Sequence, residues 1–191
     1  MGTCYRRRPR CEGRQPLESS AENRPMSEAA PHSLCELFLR QSVNRLRHEY
    51  LPKIRICLDA LDESQVWWRP NDAANSIGNL LLHLEGNLRQ WMVHGLGGAI
   101  DVRRRDGEFE ARNGKTKAEL LVRLERVIRE AEEVIANQDE SSLVRRATIQ
   151  GYWTTGCAAI YHVVEHFSGH TGQIIWITKM LTGRDLRFYD L

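Results

Sequence analysis

Apolar residues recur at the 3.6-residue spacing of an α-helix through four long segments of this chain, and this periodicity limits the fold more than any other feature. No strong strand signal competes with it, although residues 144–152 have little helical pattern and could be extended. The sequence therefore predicts an all-α four-helix bundle. The predicted helices are Ser33–Leu61, Ser76 to the Gly95–Gly98 cluster, Thr116–Asn137 and Thr155–Leu181.

Capping and breaking residues mark where these helices begin and end. Ser33 and Thr116 are predicted N-caps, because each is followed three residues later by the Glu of a capping box. Pro52 is expected to kink or split the first helix, since it lacks a backbone N–H and crowds the preceding turn. Gly183 is the predicted stop of the fourth helix. The charged, Gly-bounded segment Asp101–Gly114 is predicted to be a loop.

The net charge of +2 is unevenly distributed along the chain. Residues 1–25 carry six Arg and three Glu, whereas the remainder carries 21 basic and 22 acidic residues. We therefore expect residues 1–32 to form a disordered basic tail, or translation to start at Met26, and residues 33–191 to form the bundle. A near-neutral fold argues against binding of nucleic acid, which needs a cationic face.

The chain is expected to be a cytoplasmic protein that does not contact a membrane. No apolar run approaches the roughly 20 residues needed to cross a bilayer. The Arg-rich N-terminus is not followed by the apolar segment of a secretion signal. Five Cys is an odd number in a chain without such a signal, and it favours a reducing compartment.

The most informative segment is H-V-V-E-H-F-S-G-H-T-G-Q, residues 162–173 of the fourth predicted helix. At 100° per residue, His162, His166, His170 and Gln173 fall within about 80° of one another and share one helix face. Imidazoles at positions i and i+4 can converge on one metal ion. His162, His166 and His170 cannot all bind the same ion, because His162 and His170 stand about 12 Å apart along the helix axis. Spacing alone leaves open which neighbouring pair would form a site.

The second predicted helix offers a third ligand. Asn79, His83 and Asn87 form a polar stripe in an otherwise apolar helix, and His83 lies in its interior. His94 faces nearly the same way but lies about 16 Å further along the axis, where it is expected to reach solvent. The alternative is that these histidines are surface or hydrogen-bonded core residues that bind no metal.

The sequence is compatible with two roles for each of the other polar residues near the histidine stripes. Glu165 lies about 60° from the stripe of the fourth helix, and it is either a base near the metal or an exposed charge. Asn79, Asn87 and Gln173 are either hydrogen-bond partners within the core or residues that orient the imidazoles.

Four segments of the sequence resemble the DinB-like superfamily of damage-inducible, metal-dependent bacterial proteins. The resemblance covers residues 34–190, and it implies a four-helix bundle that holds nickel, zinc or a similar ion in a His triad. Carried to this chain, it implies the ligands His83, His166 and His170, with His162 as a neighbour. Iron, manganese or copper also suit three imidazoles. The segments are W-W-R-P (67–70), S-I-G-N-L-L-L-H-L-E-G-N (76–87), E-H-F-S-G-H-T-G-Q-I (165–174) and G-R-D-L-R-F-Y-D (183–190).

Three His ligands leave coordination positions open, which is typical of catalytic metal sites. We therefore expect an enzyme that acts on a small molecule, either by hydrolysis with Glu165 as the base or, as the resemblance implies, by transfer of a low-molecular-weight thiol. Trp68, Arg69 or Trp153 are candidate walls of a thiol pocket. The alternative is a non-catalytic, stress-linked metal-binding bundle or interaction module. We also expect a homodimer, because many members of the superfamily dimerise.

Overall fold

The structure is a computed structural model of the chain, and it describes residues 33–189. The predicted basic tail and the alternative start at Met26 lie outside the described residues. Among residues 33–189, no helix is both long enough and apolar enough to cross a membrane.

The first predicted helix is a continuous helical segment with a π-helical turn in its middle. Ser33 accepts a hydrogen bond from the backbone N–H of Glu36, which confirms the predicted N-cap. Pro52 lies in the first turn of the second α-helical part, directly after the π-helical residues. Proline cannot donate to an α-helical turn, and the change of hydrogen-bond register before it leaves the helix continuous rather than split. The parts are α1 (Leu34–Asn44), the π-helical residues Arg45–Tyr50, and α2 (Leu51–Asp59).

The second predicted helix also continues from an α-helix into a π-helical turn. Ser76 caps it by accepting a hydrogen bond from the N–H of Asn79. The segment Asp101–Gly114 was predicted to be a loop, and this was wrong in part, because it contains a six-residue helix. So short a helix has little stability of its own and depends on packing, which a local pattern does not reveal. The parts are α3 (Glu63–Val66), α4 (Ile77–Leu88), the π-helical residues Arg89–His94, and α5 (Arg105–Glu110).

The third predicted helix is α6, Lys117–Ala136, and a short helix α7, Glu140–Val144, follows it. Thr116 and Glu119 form the predicted capping box at the start of α6: the Thr116 side chain accepts from the N–H of Glu119, and the Glu119 carboxylate accepts from the N–H of Thr116. The structure therefore confirms both the helix and its N-terminal signal.

The segment with little helical pattern, which could be extended, forms most of a β-hairpin. Strand β1, Arg146–Ile149, pairs antiparallel with strand β2, Tyr152–Thr155. The two turn residues, Gln150 and Gly151, have φ angles of 54° and 80°, as in the tight turns that join antiparallel strands. The last helix, α8, follows at once and spans Gly156–Thr182. Gly183 ends α8 in the left-handed conformation, as predicted.

The four long helical segments pack around one apolar core, which confirms the predicted all-α four-helix bundle. Helix α4 contacts α6 on one side and α8 on another, so it lies in the interior of the bundle. Ten of its 12 residues are buried, including the polar residues Asn79, His83 and Asn87. The position of α4 against α8 is what brings His83 to the histidines of the last helix.

Candidate metal centre

Three histidines from two helices bring their Nε2 atoms together. His83 comes from α4, and His166 and His170 lie one turn apart on α8. The Nε2 atom of His166 is 3.0 Å from Nε2 of His83 and 3.1 Å from Nε2 of His170. The ligand atoms of all three lie within 4.8 Å of one another. Of the two pairs that helical spacing left open, the structure places His166 and His170 with His83.

The spacing of these nitrogens fits a first-row transition-metal ion. With metal–nitrogen bonds of about 2.05 Å, N···N separations of 3.0 and 3.1 Å correspond to N–metal–N angles of about 95–100°. Such angles lie between those of octahedral and tetrahedral coordination, and both geometries are common for imidazole-bound ions. Three ligands gathered on one side of an ion leave its opposite side open.

Hydrogen bonds at Nδ1 set the tautomers of two of the three imidazoles. The Nδ1–H of His83 donates to Oε2 of Glu108 at 2.9 Å, and the Nδ1–H of His170 donates to Oε1 of Gln173 at 2.7 Å. A neutral imidazole protonated at Nδ1 carries its lone pair on Nε2. Both Nε2 lone pairs therefore face the common point, as metal ligation requires.

Glu108 is held as an ionised carboxylate beside His83. Arg103 donates from Nε to Oε1 at 2.7 Å and from Nη2 to Oε2 at 2.8 Å, and its side chain is only 3% exposed. Burial by itself raises the pKa of Glu108, but the hydrogen bonds from Arg103 and His83 outweigh it and lower the pKa below its usual value. An ionised carboxylate only accepts hydrogen bonds, so it keeps the proton of His83 on Nδ1.

Gly86 makes room for this carboxylate on the surface of α4. A Cβ atom at Gly86 would stand 2.9 Å from Cδ of Glu108 and 3.0 Å from Nε of Arg103, and it would overlap the carboxylate oxygen Oε1. The close approach of α5 to α4 therefore depends on the absence of a side chain here. Gly86 was not singled out from the sequence, although a glycine inside a helix costs stability and therefore calls for a packing reason.

The α5 segment was not predicted to take part in the site, yet it is tied to α4 by Asn79. The Nδ2 atom of this buried amide donates to the carbonyl oxygens of Glu108 and Ala111 at 2.8 and 2.9 Å. Asn79 therefore acts on His83 indirectly, by holding the backbone that carries Glu108. Charged residues such as Arg103 and Glu108 in a Gly-bounded segment are typical of a solvated loop, so nothing local identified them.

The imidazole of His166 is kept neutral by its surroundings. Burial is the main cause that lowers its pKa to about 3, and the nearby histidines His170 and His83 add to the effect. Burial also lowers the pKa of His170, although its bond to Gln173 opposes this. Among the described residues, Nδ1 of His166 is buried without a hydrogen-bond partner. Neutral imidazoles are the form that binds metals, so His166 and His170 are ready to bind an ion at neutral pH.

Aromatic rings line the histidine cluster on two sides. The ring of Phe109 packs on His83 with centroids 4.7 Å apart, and the ring of Trp91 packs on His162 at 4.1 Å. His162 is outside the cluster of ligand atoms, but its ring stacks on His166 at 5.5 Å, and burial lowers its pKa. His162 is thus a neighbour of the triad, as the resemblance implied.

Several residues named as candidates lie away from the cluster. Glu165 is exposed and is absent from the group of ligand atoms, and the carboxylate that contacts the triad is Glu108 instead. His94 bonds to the carbonyl oxygen of Ala99 at 2.6 Å, so it does not join the triad. Glu165 lies on the outer face of α8 because it is about 100° from His166 around the axis.

The three candidate wall residues have other contacts. Arg69 donates to Oδ1 of Asn79 and to the carbonyl oxygen of Phe109, so it supports the end of α5. Trp153 is 80% exposed on the hairpin, and Trp68 is 36% exposed. The aromatic rings that pack on histidines of this cluster are those of Phe109, on His83, and Trp91, on His162. Trp68 and Trp153 do not pack on these histidines.

Comparison with known proteins identifies the family and the fold. The sequence profile of the family described as "Protein of unknown function (DUF1572)" matches residues 33–190. The chain belongs to this family. The crystal structure of a DinB-like protein, YjoA, from Bacillus subtilis resembles this DUF1572 protein with a TM-score of 0.59 and 17% sequence identity, over 78% of this chain and 97% of that one. This likeness shows a DinB-like fold. Among curated proteins, none matches the chain.

Proposed function

We propose that this chain is a metal-dependent enzyme that holds a divalent transition-metal ion with His83, His166 and His170 and acts on a small molecule. The observation that carries the proposal is the convergence of three Nε2 atoms, two of which have lone pairs aimed at one point by hydrogen bonds at Nδ1. Without an ion, one proton on Nε2 of His166 would be the only donor for the Nε2 lone pairs of both His83 and His170. Buried lone pairs that lack a partner cost free energy, which an ion would remove.

Nickel and zinc are the ions we expect first, and iron, manganese and copper also accept imidazole ligands. Such an ion would supply Lewis acidity at its open positions, which lowers the pKa of a water or a thiol bound there. The contribution of the chain is to keep the ligands neutral and oriented. Glu108 and Gln173 orient the imidazoles of His83 and His170, and burial keeps His166 and His170 neutral.

Transfer of a low-molecular-weight thiol fits the surroundings better than hydrolysis does. Attack by water needs a general base. Both oxygens of Glu108 are already engaged by Arg103 and His83, and Glu165 is exposed and outside the ligand group. The neutral ring of His162 lies next to the cluster and is only a weak base. A weak base suits a thiol better than water, because the ordinary pKa of a thiol is about 8.5 and that of water is about 15.7. The resulting thiolate would form a C–S bond at an electrophilic carbon as the leaving group departs with its electron pair.

Elemental analysis of the purified chain tests the metal site. After reconstitution with nickel or zinc, we expect close to one ion per chain, and we expect His83→Ala, His166→Ala and His170→Ala each to lose most of it. His94→Ala is the matched control, because its ring bonds to a backbone oxygen away from the triad. Metal content unchanged in the three triad variants, or absent from the reconstituted protein, would overturn the proposal.

An activity assay separates the two reactions. The metal-loaded chain is incubated with a chromogenic electrophile, with and without low-molecular-weight thiols. Turnover that requires thiol supports thiol transfer, whereas turnover in water alone supports hydrolysis. No turnover in either arm would contradict the enzyme proposal and leave the non-catalytic metal-binding bundle.

The non-catalytic alternative draws on the position of His83, which is buried in the core, where an ion would also stabilise the fold. Chelation distinguishes the two. Removal of a structural ion predicts a large fall in the melting temperature, because binding energy is then folding energy. Removal from an open catalytic site predicts a modest fall and rapid exchange of added ligands.

We further propose that the chain forms a homodimer through the outer face of α8. Tyr161 and Trp176 on this face are 61% and 63% exposed, and Gly169 and Gly172 lie on the same side of the helix with open space above them. Large exposed aromatic rings with small residues between them suit packing against a second copy. Light scattering should give a dimer for the wild type and a monomer for Trp176→Glu, and a monomeric wild type would contradict this.

A further inference from the structure

A groove of about 510 Å³ lies between α4, α6 and the segment that contains α5. Its walls are strongly cationic: six basic side chains line it, against two carboxylates, Glu85 and Glu108. The basic residues come from three separate parts of the chain, so only the tertiary structure brings them together. They are Arg89, Arg103, Arg104, Lys115, Arg123 and Arg126.

Ion pairs neutralise only part of this charge. Arg126 stands 3.9 Å from Glu130, which already holds Arg89 in two hydrogen bonds of 2.8 and 3.2 Å. The ion pairs of residues 33–189 include none for Arg104 or Lys115. Six cations against the carboxylates of Glu85, Glu108 and Glu130 leave a surplus of three positive charges, of which the charge of Lys115 is partly offset by the nearby Glu119. The paired cations are Arg89 with Glu130, Arg103 with Glu108, and Arg123 with Glu85.

This local surplus stands out because the chain beyond residue 25 is close to neutral, with 21 basic and 22 acidic residues. Like charges gathered in a concave surface repel one another and raise the local concentration of anions. Five of the six cations are Arg, whose planar fork binds two oxygens of a phosphate at once. The volume lies within the range of sites for small molecules.

We propose that this groove binds a small molecule that carries at least two phosphate groups. A diphosphate group has about three negative charges near neutral pH, since the last proton of a phosphate leaves near pH 6. That charge matches the surplus in the groove. Arg104, Lys115 and Arg126 attract the anion. The two lining carboxylates repel it, so it is restricted to the part of the groove near these three cations.

The groove is separate from the metal centre but shares two residues with it. Arg103 and Glu108 line the groove and also contact His83, whereas none of the three histidines lines it. A phosphate compound could also bind directly to a metal ion at the triad, so the experiment has to separate the two places.

Inorganic diphosphate is titrated into the full chain by isothermal calorimetry at low ionic strength. The test variant is Arg104→Ala with Arg126→Ala. The control is Arg129→Ala with Arg184→Ala, which removes the same charge at two exposed arginines outside the groove. A third variant, His166→Ala, removes a triad ligand and leaves the groove intact. Citrate, which also carries about three charges near pH 7, replaces diphosphate in a parallel titration.

We expect the wild type, the control and His166→Ala to bind diphosphate alike, and the test variant to bind at least about tenfold more weakly. Citrate should bind more weakly than diphosphate. Loss of binding in His166→Ala would assign the anion to the metal centre and overturn the proposal. Equal loss of affinity in the test and control variants would show that binding depends on the net charge of the protein and not on the groove, which would refute the proposal. Equal affinity for citrate and diphosphate would refute the phosphate assignment. No binding by the wild type would refute the site itself.

Discussion

Replacing Gly86 with Ala should weaken metal binding without unfolding the protein. The new Cβ would overlap Oε1 of Glu108 and stand 2.9 Å from its Cδ, so the carboxylate must leave its place beside His83. The atoms that have to move are the ends of two flexible side chains, Glu108 and Arg103, and not backbone. Loss of a partner that orients a metal-bound His typically costs 10- to 100-fold in metal affinity. We expect a loss of about that size.

The stability of this variant should change little, because two effects oppose each other. Ala is favoured over Gly inside a helix by about 1 kcal/mol. The displaced carboxylate loses hydrogen bonds worth about 1–3 kcal/mol in total. Affinity is measured by competition with a chromophoric chelator, and stability by thermal melting monitored by circular dichroism.

Gly107→Ala is the matched control, since Gly107 lies next to Glu108 and has nothing within 4 Å of where its Cβ would be. It should keep the metal affinity of the wild type. If Gly86→Ala remains folded and binds the ion as tightly as the wild type does, Glu108 does not determine the affinity of His83. If Gly86→Ala unfolds, Glu108→Gln gives the same test, because it removes the carboxylate charge and preserves the size of the side chain.

Other expected outcomes concern pH and packing. The metal-free protein should be less stable at pH 5 than at pH 7 by up to about 2 kcal/mol. In the unfolded state His166 binds a proton below about pH 6.5. In the folded state its pKa is about 3, so it stays unprotonated at pH 5. Denaturant midpoints at both pH values check this, and His166→Gln should flatten the dependence. Gly156→Ala should lower the melting temperature by the equivalent of about 2 kcal/mol or more, since its Cβ would lie 2.5 Å from the carbonyl oxygen of Ser142. Gly107→Ala, with open space around it, should not lower it.

Local patterns determined the ends of the long helices and the placement of two of the three candidate ligands. Ser76 and Thr116 cap their helices and Gly183 ends the last one, because capping depends on residues within one turn. The placement of His166 and His170 on one face of α8 likewise depends only on the helical repeat. The resemblance, not the spacing, selected this pair over His162 with His166, and the structure agrees with it.

Tertiary packing decided everything that joins distant parts of the chain. His83 and His166 are 83 positions apart, and their contact exists because α4 packs against α8. Glu108 orients His83, because it lies on a segment with the composition of a surface loop and its side chain is buried against Gly86 together with that of Arg103. Glu165, the predicted base, is exposed. The sequence does not show whether the charge of a carboxylate is solvated by water or paired with a buried guanidinium. Only the neighbours that the fold supplies, such as Arg103 beside Glu108, separate the two cases.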